Sequence, residues 1–242
     1  MWVADADGRN ARQLTTFNSA LGGTPAWSPD GQSLAFDMRG SDGRGDIFVA
    51  SVRGGAAARV TTDPADDLVP AWSHDGRWIY FESTRTGRAE MWKMPARGGD
   101  PVQITHGGAT YAKESADGRY LYYARSQSGL PSLRRIGTSG GEDVEILQRI
   151  ASYTNFAVVK DGVYYQAPPP AVELGLRSLI APFGRGATIE FLSFAPGGKI
   201  TTVLKLTQYA GPGLDVSPDG RTLLFGQMDG FSEDLLLVEN VR

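Results

Sequence analysis

The segment Gly137-Thr138-Ser139-Gly140-Gly141 has the Gly-x-Ser-x-Gly spacing that exposes a serine nucleophile on a strand-to-helix turn. Acyl transfer at such a serine needs an acid and a histidine further along the chain. The two histidines, His74 and His106, both precede it. The segment therefore reads as a glycine-rich turn. Oxygen donors that could hold Ca²⁺ occur twice: Asp63, Asp66 and Asp67 lie close together, and Asp37, Asp42 and Asp46 flank the run Gly40-Ser41-Asp42-Gly43-Arg44-Gly45. Neither set has the alternating Asp-x-Asp-x-Asp-Gly order of a calcium loop, and turn and cap chemistry accounts for both. The absence of cysteine removes disulfides, thiolate metal sites and thiol nucleophiles. No catalytic residue, metal or cofactor is expected.

Composition narrows the class further. The chain has 242 residues, 41% hydrophobic and 21% charged, which is ordinary for a soluble globular protein. A net charge of −3 argues against a broad electrostatic grip on nucleic acid or an anionic membrane. No apolar run approaches the ~20 residues of a membrane helix. The start, Met1-Trp2-Val3-Ala4-Asp5, lacks the basic-then-apolar order of a signal peptide. The 31 glycines call for many tight turns.

Those turns recur with a period. Trp27-Ser28-Pro29-Asp30-Gly31 returns as Trp72-Ser73-His74-Asp75-Gly76, then more loosely around Asp117-Gly118, Asp161-Gly162 and Asp219-Gly220. The spacings are 45, 42, 44 and 58 residues, close to the ~40–45 of a four-stranded propeller blade with one insertion. Asp-Gly between apolar runs signals a hairpin. Each pair is followed by a β-rich run such as Trp78-Ile79-Tyr80-Phe81, a polar loop, a further run such as Met91-Trp92-Lys93-Met94, a Gly-rich turn, and a last run such as Val102-Gln103-Ile104-Thr105. Each unit thus reads as antiparallel strands a, b, c and d. Gly137–Gly141 falls in a c–d turn, where the other units have Gly54-Gly55 and Gly98-Gly99.

The pattern Pro-x-Trp-Ser-Pro-Asp-Gly, then an apolar strand and a closing Thr, resembles the WD40-like (PD40) repeats of the TolB-like β-propeller family; Pro25–Thr61 and Pro70–Thr105 carry it best. The third and fourth units keep Asp-Gly but lose Trp-Ser-Pro. The tail Asp234–Arg242 resembles the end of propellers attached to bacterial winged-helix regulators and Ser/Thr kinases. The resemblance implies a protein-interaction or sensor scaffold without catalysis in an extracytoplasmic setting, here the C-terminal part of a larger regulatory protein. Related blades also gate prolyl-oligopeptidase-like serine peptidases, which is the alternative.

The expected fold is all-β: one propeller domain over 1–242, of about five to six four-stranded blades, with an incomplete or open ring among the outcomes. Residues 1–16 supply strands c and d of a partial blade. Full blades occupy 24–62, 69–106, 110–148 and 153–206, and 213–242 forms a last blade without its own strand d. That makes 21 strands; Arg12–Thr15 could complete the last blade, or a start in mid-blade could mark a piece of a larger propeller. The b–c and d–a loops share one face. It gathers Arg39, Asp42, Arg44, Asp66, Asp67, Arg85, Arg88, His106 and Arg125, the expected contacts for a protein or peptide partner. A small ligand in the central channel is a further expectation. His74 lies in an a–b turn on the other face, so it forms no site with His106. The insertion Pro168–Ala187, with one helical turn as its best helix candidate at Val172–Ile180, lies on the partner face. Trp78, Tyr80, Phe81, Trp92, Tyr122 and Tyr123 are expected between blades rather than as a ligand platform.

Overall fold

In the computed structural model the described residues are 1–5, 7–15, 22–126, 129–168, 187–217, 219–229 and 232–239. They contain 21 strands and no helix. The helical turn proposed at Val172–Ile180 and most of the insertion lie outside them. β1 (Trp2–Val3) pairs with β2 (Arg12–Gln13). The first full blade is β3 (Gly22–Trp27), β4 (Ser33–Arg39), β5 (Gly45–Ser51) and β6 (Ala58–Arg59). The second is β7 (Asp67–Trp72), β8 (Trp78–Ser83), β9 (Glu90–Pro95) and β10 (Val102–Gln103). The third is β11 (Thr110–Glu114), β12 (Tyr120–Arg125), β13 (Ser132–Gly137) and β14 (Val144–Leu147). The fourth is β15 (Phe156–Val159), β16 (Gly162–Ala167), β17 (Thr188–Ser193) and β18 (Ile200–Lys205), and the last sheet is β19 (Tyr209–Val216), β20 (Thr222–Asp229) and β21 (Ser232–Glu239). Within each sheet the strands follow chain order and pair antiparallel. These are the blades of a β-propeller. Among the described residues the strand partner of β2 is β1, and the last sheet has three strands.

The chain divides into two compact units, Met1–Glu114 with Thr138–Gly140, and Ser115–Gly137 with Gly141–Arg242. In the first, alternation along β4 sends Leu34 and Phe36 into a core with Leu14 and Ala50, while Ala35 joins Ile47, Ile79, Phe81 and Met94 on the other face. A strand buried on both faces must be apolar throughout, which explains the continuous runs read as strand b. Tyr80, Phe81, Tyr122 and Tyr123 are buried as expected, with Trp78 and Trp92 partly so. In the second unit Tyr164, Ile189, Leu214, Leu223 and Phe225 form the corresponding core. The motif tryptophan ties one blade to the one before it, since the Trp72 indole N–H donates to the Ala26 carbonyl at 3.1 Å.

Each a–b hairpin is wired by its own sequence. The Ser73 hydroxyl donates to Asp75 (2.7 Å) and accepts from the Trp78 amide (2.9 Å), while Asp75 accepts from the Arg77 amide at 2.9 Å. Ser28/Asp30, Ser115/Asp117 and Ser217/Asp219 repeat this. Gly31, Gly76, Gly118 and Gly220 take positive φ, which glycine adopts without a Cβ clash. The fourth unit departs from the expected Asp161-Gly162 turn. Val159 pairs with Gly162, so the turn residues are Lys160 and Asp161, and Gly162 opens β16. Val159 stands where the other copies have the serine that holds the wider turn open.

This wiring sets an acid-sensitive limb. Hydrogen bonds from Ser73 and Arg77 lower Asp75 to about 2, and those from Ser115 and Arg119 lower Asp117 to about 2. Asp30 and Asp219 are lowered by Ser28 and Ser217 first. A folded value below the unfolded one gives stability that is complete above about pH 4 and lost as pH falls through the folded value. Thermal melts should therefore drop between about pH 4 and pH 2. Asp117→Asn should flatten that drop; an unchanged slope would show that the hairpin carboxylates do not set it.

Candidate functional site

The b–c and d–a loops of the first two blades form one hydrogen-bonded surface. Arg39 donates to the Gly43 carbonyl at 2.8 Å and pairs with Asp66 at 3.1 Å. Asp66 also accepts from the Gly45 amide (2.8 Å), and its own amide donates to the Thr84 hydroxyl (3.2 Å). The Thr84 carbonyl accepts from the Gly87 amide at 2.8 Å. Next to it Arg88 pairs with Glu90 at 2.6 Å and donates to the His106 carbonyl. Thus Arg39, Asp66, Arg88 and His106, distant in sequence, are linked through successive loops.

Beneath this rim the loops are fastened by buried charges. Asp67 is fully buried, and the Arg85 guanidinium reaches both its oxygens at 3.0 Å. Arg85 also covers the Trp92 ring at 4.7 Å and the Phe81 ring at 5.5 Å. Burial pushes the Asp67 carboxyl above the ordinary range, against the hydrogen bonds from Ser83 and Arg85. Burial likewise raises Glu82, opposed by the Thr110 hydroxyl and reinforced by the charges of Asp37 and Asp66. The threonine that closes strand d is a second fastening. Thr105 accepts from the Met91 amide (2.8 Å) and donates to Glu90 (2.6 Å); Thr61 accepts from the Ile47 amide at 2.9 Å.

Strand a is bent at this end. Thr24, Val69 and Tyr111 have φ of 43°, 55° and 44°, and register shifts mark bulges between Gly23 and Ala26 and between Leu68 and Ala71. Positive φ at a β-branched residue is costly. At Val69 the bend turns the amide N–H toward Asp37, which accepts it at 3.3 Å. Pro25 and Pro70, directly after Thr24 and Val69, are the sequence signal of these two bulges.

The expected contact residues fall into three groups, of which the half-buried, mutually paired Arg39 and Asp66 are one. Asp67 and Arg85 are consumed in the buried pair, and Arg125 in the second unit is mostly buried against Asp143 at 2.6 Å. Asp42, Arg44, Arg88 and His106 are exposed at the rim, and Arg44 has no carboxylate within ion-pair reach among the described residues. A cavity of about 430 Å³ opens beside Arg88, lined also by Thr86, Gly87, Glu90, Gln103 and His106. The closing threonines Thr61 and Thr105 are part of the repeat pattern, but their pairing with Asp46 and Glu90 at a shared i, i+15 spacing is not among the sequence expectations. His74 lies in the a–b hairpin at the other end of the second blade, and Ser139 in the c–d turn beside the Thr138–Gly140 bridge. No cluster of three His, Cys, Asp or Glu suited to a metal ion occurs among the described residues.

A sequence model of the TolB β-propeller domain matches residues 1–154. An uncharacterized protein of Agrobacterium fabrum is 38% identical over 80 residues, 33% of this chain and 27% of that protein. The Tol-Pal system protein TolB of Anaeromyxobacter dehalogenans is 38% identical over 73 residues, 30% of this chain and 16% of that protein. Dipeptidyl-peptidase 5 of Porphyromonas gingivalis is 32% identical over 94 residues, 36% of this chain and 14% of that protein. The matched segments thus span less than a third of these curated relatives. Among solved structures, TolB from Acinetobacter baumannii superimposes with a TM-score of 0.77 at 16% identity, covering 99% of this chain and 57% of that one. A puromycin-hydrolyzing peptidase from Mycobacterium tuberculosis gives 0.60 at 16% identity, covering 91% and 36%.

Proposed function

Since the chain belongs to the TolB β-propeller domain family, we propose that it is a non-catalytic interaction module whose b–c and d–a loops on the first two blades receive a protein partner. One observation carries this reading: the path from Arg39 through Asp66, Thr84 and Gly87 to Arg88 and His106 holds exposed charges over the buried Asp67–Arg85 pair. Such a surface is preorganised, so little ordering entropy is lost when a partner docks. Charged rim groups of this kind set specificity and association rate.

A decisive variant must spare the fastening residues. Arg44→Glu combined with His106→Glu reverses the rim while leaving Asp67, Arg85, Arg88 and Glu90 in place. Capture of a partner crosslinked to the intact chain should weaken about ten-fold, equivalent to about 1.4 kcal/mol, with the melting temperature unchanged. Arg53→Glu, in the c–d turn at the opposite end, should have no effect. Equal capture by both variants would place the contact elsewhere. The dipeptidyl-peptidase 5 match favours a second reading, a propeller that gates a serine peptidase; a serine hydrolase as the captured partner would support it.

A further inference from the structure

The second unit contains a concavity of its own. It has a volume of about 420 Å³ and lies where the a–b hairpin of the third blade faces the fourth blade. Its aromatic wall is Tyr120, Tyr122 and Phe194. Tyr122 and Phe194 stack at 5.4 Å with 14° between planes, and Phe194 remains 37% exposed. Its cations are Arg119, Arg135 and Lys160.

The charges do not cancel locally. Arg119 is answered by Asp117 at 2.7 Å. Arg135 lies over the Tyr120 ring at 4.3 Å, and Lys160 is exposed. Among the described residues, neither Arg135 nor Lys160 has a carboxylate within ion-pair reach. Two uncompensated cations therefore flank an aromatic cleft in a chain of net charge −3. The negative net charge disfavours a long polyanion, which would feel the whole field, whereas a short acidic segment responds to the local one. Turn amides that could cradle a phosphate are spent: Gly118 N–H donates to the Ser115 carbonyl and Arg119 N–H to Asp117.

We propose that this cleft binds an acidic peptide segment of a protein partner, its carboxylates drawn to Arg135 and Lys160 and a neighbouring apolar side chain laid on Phe194. The site is at the a–b end of its blades and does not depend on the loop-face reading.

The probe is a fluorescein-labelled hexapeptide alternating Glu and Phe, followed by fluorescence anisotropy with the full chain. Saturable binding is expected, weakened at least about ten-fold by Lys160→Glu, an exposed change that spares the fold. Arg135→Gln should weaken it as well, and the peptide with Lys in place of Glu should not bind. Melting curves verify that each variant is folded. Absence of saturable binding, equal affinity for the Lys160→Glu chain, or equal affinity for the Lys peptide would each overturn the proposal. Displacement of the peptide by equimolar inorganic phosphate would reassign the cleft to small anions and also overturn it.

Discussion

Arg85→Ala is expected to destabilise the first unit by about 3–5 kcal/mol, the cost of leaving a buried charge without its partner. Asp67 has no access to solvent, and the Arg85 side chain is only 13% exposed. Water cannot replace the guanidinium, and the alanine also uncovers the Trp92 and Phe81 rings. All five tryptophans lie between residues 2 and 92, so indole emission during urea unfolding reports this unit. The pH dependence gives an independent check. The folded Asp67 carboxyl is already raised by burial, and losing Arg85 raises it further. A raised folded value favours the protonated folded state, so the contribution is present below the unfolded value and lost as pH rises through the folded one. The deficit of Arg85→Ala should therefore shrink as pH falls from neutrality toward about 4. Replacing the pair with Asp67→Leu and Arg85→Met should recover much of the loss, because an apolar pair avoids the desolvation cost. A loss below about 1 kcal/mol, the range of an exposed pair, would show that the pair is solvated.

The arginine count alone could not distinguish this residue from its neighbours. Arg44, Arg85 and Arg88 all sit in b–c loops, and sequence spacing gives them equal claim to the partner face. Burial separates them, and the burial of Arg85 is decided by Asp67, Phe81 and Trp92, which three strands of its own blade bring together. The hairpins were easier to read because their interactions are local: Ser-x-Asp-Gly contains both the hydroxyl that bridges the turn and the glycine that takes positive φ. The strand count was legible for the same reason, since apolar runs and turns alternate within each unit. Pro25 and Pro70 hint at the bulges at Thr24 and Val69, but the partner that accepts the Val69 amide, Asp37 of a neighbouring blade, is not legible locally. The Arg135–Lys160 cleft was hidden too: its walls come from successive blades, and its cations look solvated in isolation.

The fourth Asp-Gly pair shows how one dipeptide can serve two physical needs, and it carries the other large expected effect. Gly118 has φ of 71° with nothing within 4 Å of where a methyl group would stand. Gly118→Ala should cost about 1–2 kcal/mol through backbone conformation alone. At Gly162 the backbone is ordinary, but a methyl group would fall on the Phe191 ring edge and on the Leu192 carbonyl oxygen. The ring can move, though its contact with Tyr164 at 4.8 Å resists. The carbonyl belongs to β17, so the strand itself must shift. Gly162→Ala is therefore expected at the upper end of overpacking costs, about 3 kcal/mol, and adding Phe191→Ala should relieve only the ring's share. Indole emission will not follow this change, so near-ultraviolet tyrosine dichroism during urea unfolding is the measurement. A cost for Gly162→Ala below that for Gly118→Ala would contradict the close approach of β16 and β17. The same shift should reach the cleft: Lys160 is in the turn just before Gly162, and the Phe194 amide donates to the Asp161 carbonyl at 2.9 Å. A backbone displaced at Gly162 should thus weaken acidic-peptide binding without altering any cation or aromatic ring, linking the hairpin glycine that departs from the repeat to a cleft the repeat does not predict.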